Sequence, residues 1–190
     1  MKKFIFSLIF LMALGLMGAE VNNFSLSIGA GIRNVKGVED ETGTNLYTEV
    51  YGKNNMAYSI DLGYQVLKSL QVFLHTDYFS VKGKLTFTQE DTKLKIIPIE
   101  LGLRYFMGKK IIFPYIGAGT GYYMYKEENV IGTVDEKKFG FFGEGGVKFQ
   151  FTELLFIDLK VKYIILKVDG TEGQVDLGGL ALIGGIGISF

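Results

Sequence analysis

The sequence predicts an all-β protein, an eight-stranded antiparallel up-and-down barrel that crosses a lipid bilayer. Three observations support this. Strand-like stretches recur along residues 20–190 with apolar and polar side chains in strict alternation, the period of a strand with two different faces. The connections alternate between tight turns and longer polar segments, as in outer-membrane barrels. The charges of the strands fall on one face only, which leaves the other face free to contact hydrocarbon.

The composition fits a single domain and excludes several classes of site. The chain has 190 residues, of which 26 are Gly, 11 Tyr and 16 Phe. Cysteine is absent, which excludes disulfides, thiolate zinc sites and thiol nucleophiles. The 20 basic and 20 acidic residues balance, so a nucleic-acid partner is not favoured.

Residues 1–19 predict a secretory signal peptide that is cleaved from a barrel domain at 20–190. Two lysines follow the first Met, an apolar run covers 4–17, and the small pair Gly18-Ala19 ends the segment. A membrane anchor is the alternative. However, a run of about 14 residues is shorter than the ~20 that a helix needs to span a bilayer.

Eight stretches of the remaining chain alternate as strands do. Their approximate bounds are 23–33, 56–66, 70–78, 97–105, 113–124, 139–149, 155–163 and 178–190. Their apolar faces, in chain order, are Phe24, Leu26, Ile28, Ala30, Ile32; Met56, Tyr58, Ile60, Leu62, Tyr64; Leu70, Val72, Leu74, Thr76, Tyr78; Ile97, Ile99, Leu101, Leu103, Tyr105; Ile116, Ala118, Thr120, Tyr122; Phe139, Phe141, Val147, Phe149; Leu155, Ile157, Leu159, Val161, Tyr163; and Leu180, Leu182, Gly184, Ile186, Ile188, Phe190.

The connections between these strands predict two different rims. Tight turns lie at 67–69, 107–110 and 152–153, and longer polar segments lie at 35–55, 82–93, 126–138 and 167–176. The stretch LYTEVY at 46–51 is either an extension of the second strand or a small loop element. Two acidic clusters, Glu39-Asp40-Glu41 and Lys126-Glu127-Glu128, lack the spacing of a calcium loop, and they indicate solvated loops.

The charged face of the strands predicts the lining of the barrel. A lysine or arginine at the bilayer midplane costs about 2–4 kcal/mol, so this face points inward. Its acids and bases balance and can pair. The predicted polar network of the lumen comprises Arg33, Asp61, His75, Asp77, Glu100, Arg104, Glu144, Lys148, Asp158, Lys160 and Lys162.

The small residues of the fifth strand predict how this network packs. Gly117, Gly119 and Gly121 face inward and leave room for the neighbouring strands. We expect Glu100 and Arg104 on one side to meet Glu144 and Lys148 on the other. Since side chains alone fill an eight-stranded barrel, the lumen is expected to be plugged.

Aromatic residues on the uncharged face predict two girdles. One lies at the rim of the long loops and comprises Tyr58, Tyr78, Tyr122, Phe139 and Tyr163. The other lies at the rim of the tight turns and comprises Tyr64, Tyr105, Phe149 and Phe190. A soluble lipocalin-like barrel is the alternative, with the charged face in water and the apolar face inside. The tryptophan usual in the first strand of lipocalins is absent.

Two stretches and the last residue resemble a known family, the small outer-membrane protein β-barrel domain of OmpA/OmpX and opacity-protein type. The stretches are 97–105 (IPIELGLRY) and 114–123 (PYIGAGTGYY), and the chain ends on Phe190. The resemblance covers the whole mature chain. It implies a barrel in the bacterial outer membrane, with Phe190 as a barrel-assembly signal and with termini and tight turns facing the periplasm.

The resemblance also sets the functional expectations. It implies a non-enzymatic protein that stabilises the envelope or interacts with other surfaces through its extracellular loops. A narrow channel for small solutes is the alternative, and a lipid-modifying enzyme is a remote one. The expected partners are outer-membrane lipid and lipopolysaccharide, the barrel-assembly machinery and an unknown extracellular ligand at the loops, without nucleic acid.

His75 is the one histidine and the one candidate for catalysis. Asp77 lies two residues on, on the same face, and a His–carboxylate pair is half of a hydrolase site. No serine is placed beside the pair, and one histidine does not make a metal cluster. The sequence therefore predicts no catalytic, cofactor-binding or metal-binding residues, and His75 is expected to be a hydrogen-bonded lumen residue.

Overall fold

A closed antiparallel sheet forms the body of the protein. The computed structural model describes residues 23–37, 45–84, 89–108, 111–130, 132–170 and 173–190. The predicted signal peptide, the cluster Glu39-Asp40-Glu41 and the turn residues 109–110 lie outside the described residues. Within the described residues there is no helix whose length and apolar character would let it traverse a bilayer.

Eight strands close the barrel, which confirms the predicted fold class. They are β1 (Phe24–Arg33), β2 (Asn55–Leu67), β3 (Leu70–Lys84), β4 (Asp91–Phe106), β5 (Ile112–Asn129), β6 (Gly132–Gln150), β7 (Leu155–Ile165) and β10 (Gly179–Ser189). Each strand pairs antiparallel with its neighbours, and β10 returns to pair with β1. The barrel sheet therefore has no open edge, which a β-structure in hydrocarbon requires.

The outer face of the barrel is apolar. Ile28 is 59% exposed, Leu159 51% and Phe139 74%, and the aromatic residues of both predicted girdles lie on this face. Such exposure of large apolar side chains is costly in water and favourable in lipid. The opposite residues of each strand point into the lumen and are mostly buried.

Three of the four segments predicted as long polar loops contain sheet in the described residues. The segment 126–138 continues the β5–β6 hairpin up to Asn129 opposite Gly132. The segment 167–176 forms a separate two-stranded hairpin of β8 (Lys167–Gly170) and β9 (Gly173–Asp176). Likewise β3 and β4 pair as far as Lys84 opposite Asp91. The two rims still differ: in the described residues, one rim has strand extensions, a helix and a separate hairpin, and the other has turns.

The stretch at 46–51 is a helix, α1 (Leu46–Tyr51), and not an extension of β2. The side chain of Asn45 accepts a hydrogen bond from the Thr48 N–H at 3.0 Å, as an N-cap does. Gly52 ends the helix at φ +79°, a left-handed conformation that favours glycine. Tyr47 and Tyr51 project from the helix onto the mouth of the barrel and are buried there.

An apolar core seals the end of the barrel where the long connections lie, which we call the loop rim. Buried side chains of the barrel strands pack there with α1 and with residues of the β8–β9 segment. The cluster includes Val35, Tyr47, Tyr51, Phe79, Leu94, Ile96, Tyr123, Tyr125, Ile164, Leu166, Val168 and Leu177. The strand extensions at the loop rim are therefore packed around an apolar core, which continues to Phe73 and Phe142 in the lumen.

The last residue closes the ring at the opposite end, the turn rim. The backbone N–H of Phe190 donates to the Phe24 carbonyl at 2.8 Å, and the Phe24 N–H donates back to Phe190 at 2.8 Å. The two rings stack with centroids 6.1 Å apart, and Phe24 also packs against Tyr64. That Phe190 is an assembly signal stays a prediction.

Candidate functional site

The charged residues of the strands line the lumen. Ten of the eleven predicted side chains are buried, and Lys148 is half-buried. They are brought together because each occupies an inward position on its strand. The buried charges lie between a polar layer at the turn rim and the apolar core at the loop rim.

Arg104 forms the first node of this cluster. Its Nη2 donates to Asp61 Oδ1 at 2.6 Å, and its Nε donates to Glu144 Oε1. The guanidinium lies over the ring of Phe73, 3.7 Å from the centroid. Gly117 lies between Arg104 and Glu144 in the register, so no side chain separates them.

Asp61 and His75 connect this node to the rest of the cluster. Lys160 Nζ donates to Asp61 Oδ2, and His75 Nδ1 lies 2.8 Å from the same oxygen. His75 Nε2 lies 2.7 Å from Asp77 Oδ1. Both ring nitrogens of His75 therefore have a carboxylate partner within hydrogen-bond distance.

Lys162 forms the second node. Its ammonium donates to Asp77 Oδ2 at 2.8 Å and to Glu100 Oε2 at 2.8 Å, and the Tyr123 hydroxyl donates to Glu100 Oε1 at 2.7 Å. Ligand atoms of His75, Asp77 and Glu100 lie within 4.8 Å of one another. The Lys162 ammonium is hydrogen-bonded to two of these three groups, Asp77 and Glu100, which gives both carboxylates a cation partner without a metal ion.

The predicted meeting across β5 is right for one pair and wrong for the other. Arg104 and Glu144 meet over Gly117. Glu100 instead lies opposite Gly121, which in turn lies opposite Gly140 on β6, so the register gives Glu100 no charged neighbour on β5 or β6. The partner of Glu100 is Lys162, which reaches it across the lumen. Lys148 does not contact this set: its ammonium donates to Ser189 Oγ at 3.2 Å and lies 3.9 Å from the Phe156 ring centroid.

Arg33 and Asp158 lie at opposite ends of the lumen. Arg33 is fully buried near the loop rim, where its Nη2 donates to the Leu177 carbonyl at 3.1 Å and its guanidinium lies over Phe79. Asp158 accepts the Tyr115 hydroxyl at 2.8 Å near the turn rim and lies 3.8 Å from Lys160. The network thus spans most of the height of the barrel.

The sequence analysis did not predict that aromatic residues of the lumen contact the charged network. Phe73 supports Arg104, and its ring meets Phe142 edge-on at 5.9 Å. Tyr115 and Tyr123 supply hydroxyl donors to the buried carboxylates. The alternation of the strands predicts that these aromatic residues face inward. It does not predict which carboxylate on another strand a tyrosine hydroxyl reaches.

The described part of the lumen has a small cavity near the turn rim. It measures about 10 Å³ and is lined by residues such as Ser25, Asp61, Gln71 and Tyr115. That volume is about what one water molecule needs. A larger cleft of about 550 Å³ lies outside the barrel, between α1 and the β3–β4 hairpin, and polar residues such as Glu49 and Lys82 line it.

The loop rim also has polar contacts that hold α1 in place. The Tyr51 hydroxyl donates to Glu127 Oε1 at 2.7 Å and shares a 2.9 Å hydrogen bond with the Thr92 hydroxyl. Burial raises the pKa of Tyr51 above its ordinary value, so its hydroxyl stays protonated and remains a donor. The helix is thereby tied to both β4 and β5.

Comparisons with known proteins agree with this architecture. The sequence model of the outer membrane protein beta-barrel domain family matches residues 6–187. No curated protein matches the chain significantly. Neisserial surface protein A is 16% identical; the alignment covers 90% of this chain and 100% of that one, with a TM-score of 0.64.

Two further solved structures share the fold. OprG from Pseudomonas aeruginosa is 16% identical, with 91% of this chain and 98% of that chain covered and a TM-score of 0.68. Ail, the attachment invasion locus protein of Yersinia pestis, was solved with the heparin analogue sucrose octasulfate. It is 17% identical, with 88% and 99% of the two chains covered and a TM-score of 0.57. Together with the closed sheet and its apolar outer face, the match over nearly the whole chain shows that this protein belongs to the outer membrane protein beta-barrel domain family and resides in the bacterial outer membrane.

Proposed function

We propose that this protein is a non-enzymatic barrel that stabilises the envelope or interacts with other surfaces through its loop rim. The observation that carries the proposal is the double closure of the lumen. Buried ion pairs fill its middle, and an apolar core with α1 covers its mouth. A barrel closed in this way is a rigid platform that presents its loop rim to the outside.

The proposed orientation follows the two rims. The tight turns and the chain ends face the periplasm, and the extended hairpins face outward. Lipopolysaccharide surrounds the outward half, the barrel-assembly machinery recognises Phe190 during insertion, and an extracellular ligand binds at the loop rim. Ail supports the last point, because a barrel of this fold was solved with a sulphated sugar analogue.

Two alternative functions have less support from the geometry. A narrow channel needs a continuous wet path, and the described lumen instead contains paired charges and a cavity of about 10 Å³. A lipid-modifying enzyme needs its base on the lipid-facing side. His75 is 1% exposed inside the lumen, with both ring nitrogens bonded to carboxylates.

Complementation of a deletion strain tests the proposal. We expect the wild-type gene to restore detergent resistance of the envelope, or attachment to a surface coated with sulphated glycan. The variant Tyr47→Ala/Tyr51→Ala removes the aromatic contacts of α1 with the barrel mouth and is expected to restore neither. The matched control Tyr47→Phe/Tyr51→Phe keeps both rings and should restore most of the effect.

The same strains also test the channel. Heat-dependent mobility on a gel confirms that each variant forms a barrel. If deletion slowed the uptake of small solutes and left detergent resistance and attachment unchanged, the channel would replace the proposed function.

A further inference from the structure

Four lysines form a patch on the outward face of β3, β4 and β5, just beyond the aromatic girdle of the loop rim. We call Lys82, Lys93, Lys95 and Lys126 the lysine patch. Lys82 lies directly opposite Lys93 in the register, and Lys95 lies directly opposite Lys126. These positions belong to the strand extensions that rise above the apolar belt.

The electrostatics of the patch favour an anionic ligand. Like charges directly opposite each other on neighbouring strands are destabilising. Glu128 forms an ion pair with Lys126 and lies directly opposite Lys93 in the register, and Asp135 lies opposite Lys126 at the edge of the patch. Across the described ranges of the chain, Lys82, Lys93 and Lys95 have no carboxylate within ion-pair distance. Four lysines against two acids leave this surface positive.

The height of the patch matches the headgroup layer of a bilayer. The ammonium of Lys95 lies 5.2 Å from the ring centroid of Tyr78, a girdle residue. Lys82 follows Tyr78 by four residues on the same face, which is about 13 Å along a strand and ~10 Å in height at the tilt of such barrels. The polar layer on each side of the hydrocarbon core is roughly 5–8 Å thick. Lys95 and Lys126, two residues nearer to Tyr78 than Lys82 and Lys93, therefore lie at the height of the lipid phosphates. The backbone of Lys82 and Lys93 lies just beyond that layer, and their long side chains reach back toward it.

We propose that the lysine patch binds a lipid that carries two phosphate groups in the outer leaflet. Two lysine pairs, separated by two residues along β4 or about 7 Å, provide one pair for each phosphate. The girdle rings beneath, including Tyr122 and Phe139 with centroids 5.1 Å apart, pack against the acyl chains. This inference rests on the outer-membrane location and the outward loop rim, and it is independent of whether the lumen conducts.

Native mass spectrometry of the folded protein tests the proposal by counting the lipids it retains. The probe is diphosphorylated lipid A added to detergent micelles, and phosphatidylglycerol and inorganic phosphate are added in parallel. We expect wild-type protein to retain one lipid A molecule in preference to phosphatidylglycerol. Lys93→Gln/Lys95→Gln should retain it about thirtyfold more weakly, because each lysine near a lipid phosphate contributes roughly fivefold.

A matched control removes two lysines from the opposite side of the same rim. Lys36 follows β1 and Lys167 begins β8, so Lys36→Gln/Lys167→Gln changes the net charge equally and leaves the patch intact. This control should stay within about twofold of wild type, a difference no larger than that of ordinary surface substitutions. Equal loss in both double variants, equal retention of phosphatidylglycerol, or full displacement of lipid A by inorganic phosphate would each overturn the proposal.

Discussion

Replacement of Lys162 by Met is expected to lower the free energy of unfolding by about 3–5 kcal/mol. Lys162 is 0% exposed, and its ammonium is hydrogen-bonded to both Asp77 and Glu100. The methionine fills similar volume but leaves two carboxylates without their shared cation. Urea-induced unfolding in lipid vesicles, followed by circular dichroism or gel mobility, measures the change.

Two further variants separate the loss of the ion pairs from a general effect of removing a lysine. Lys148→Met removes a half-buried lysine that contacts Ser189 and Phe156, and its effect should stay below about 1 kcal/mol. Adding Glu100→Gln to Lys162→Met removes one of the uncompensated charges and should recover part of the lost stability. Equal effects of the two single lysine variants would contradict the account of the buried network.

Gly117→Val is expected to prevent folding or to cost about 3 kcal/mol or more, because it overpacks the lumen and displaces a buried ion pair. A Cβ at this position would lie 2.9 Å from the Leu103 carbonyl oxygen and 3.1 Å from both Arg104 Cγ and Glu144 Cγ. The fraction of refolded protein that shows heat-dependent mobility measures the effect.

The neighbouring residue provides a matched control for this substitution. Ala118 is exposed on the outward face of the same strand, so Ala118→Val adds the same kind of bulk in lipid. Its effect on stability is expected to remain within about 0.5 kcal/mol. A Gly117→Val protein as stable as Ala118→Val would show that the lumen does not need the close approach of Arg104 and Glu144.

The barrel itself could be predicted from the sequence because a strand with one face in lipid must alternate along its whole length. The structure at the loop rim could not be predicted in this way. Val168 and Leu177 are buried in a core built from side chains of distant strands, and no local period indicates that core. Similarly, the β5–β6 extension around Lys126 is polar on both faces, so its sequence lacks the apolar alternation that identifies a strand.

The sequence predicts which residues line the lumen, but not which of them form ion pairs with one another. The eleven residues of the predicted network, from Arg33 to Lys162, could be assigned to the lumen from the strand face that they occupy. Which charges meet depends on the register and on contacts across the lumen, as the Lys162–Glu100 pair shows. The lysine patch was hidden for a related reason, because Lys82 and Lys93 fall in a segment predicted as a loop.

Conductance of the folded protein in planar bilayers tests the central claim, that the lumen is closed. Insertion is verified by heat-dependent mobility of protein recovered from the same vesicles, and a porin of known conductance serves as the positive control. The buried ion pairs and the apolar core predict no steady current steps above the bilayer baseline. Steady, reproducible steps from the wild-type protein would contradict the account and favour a channel for small solutes.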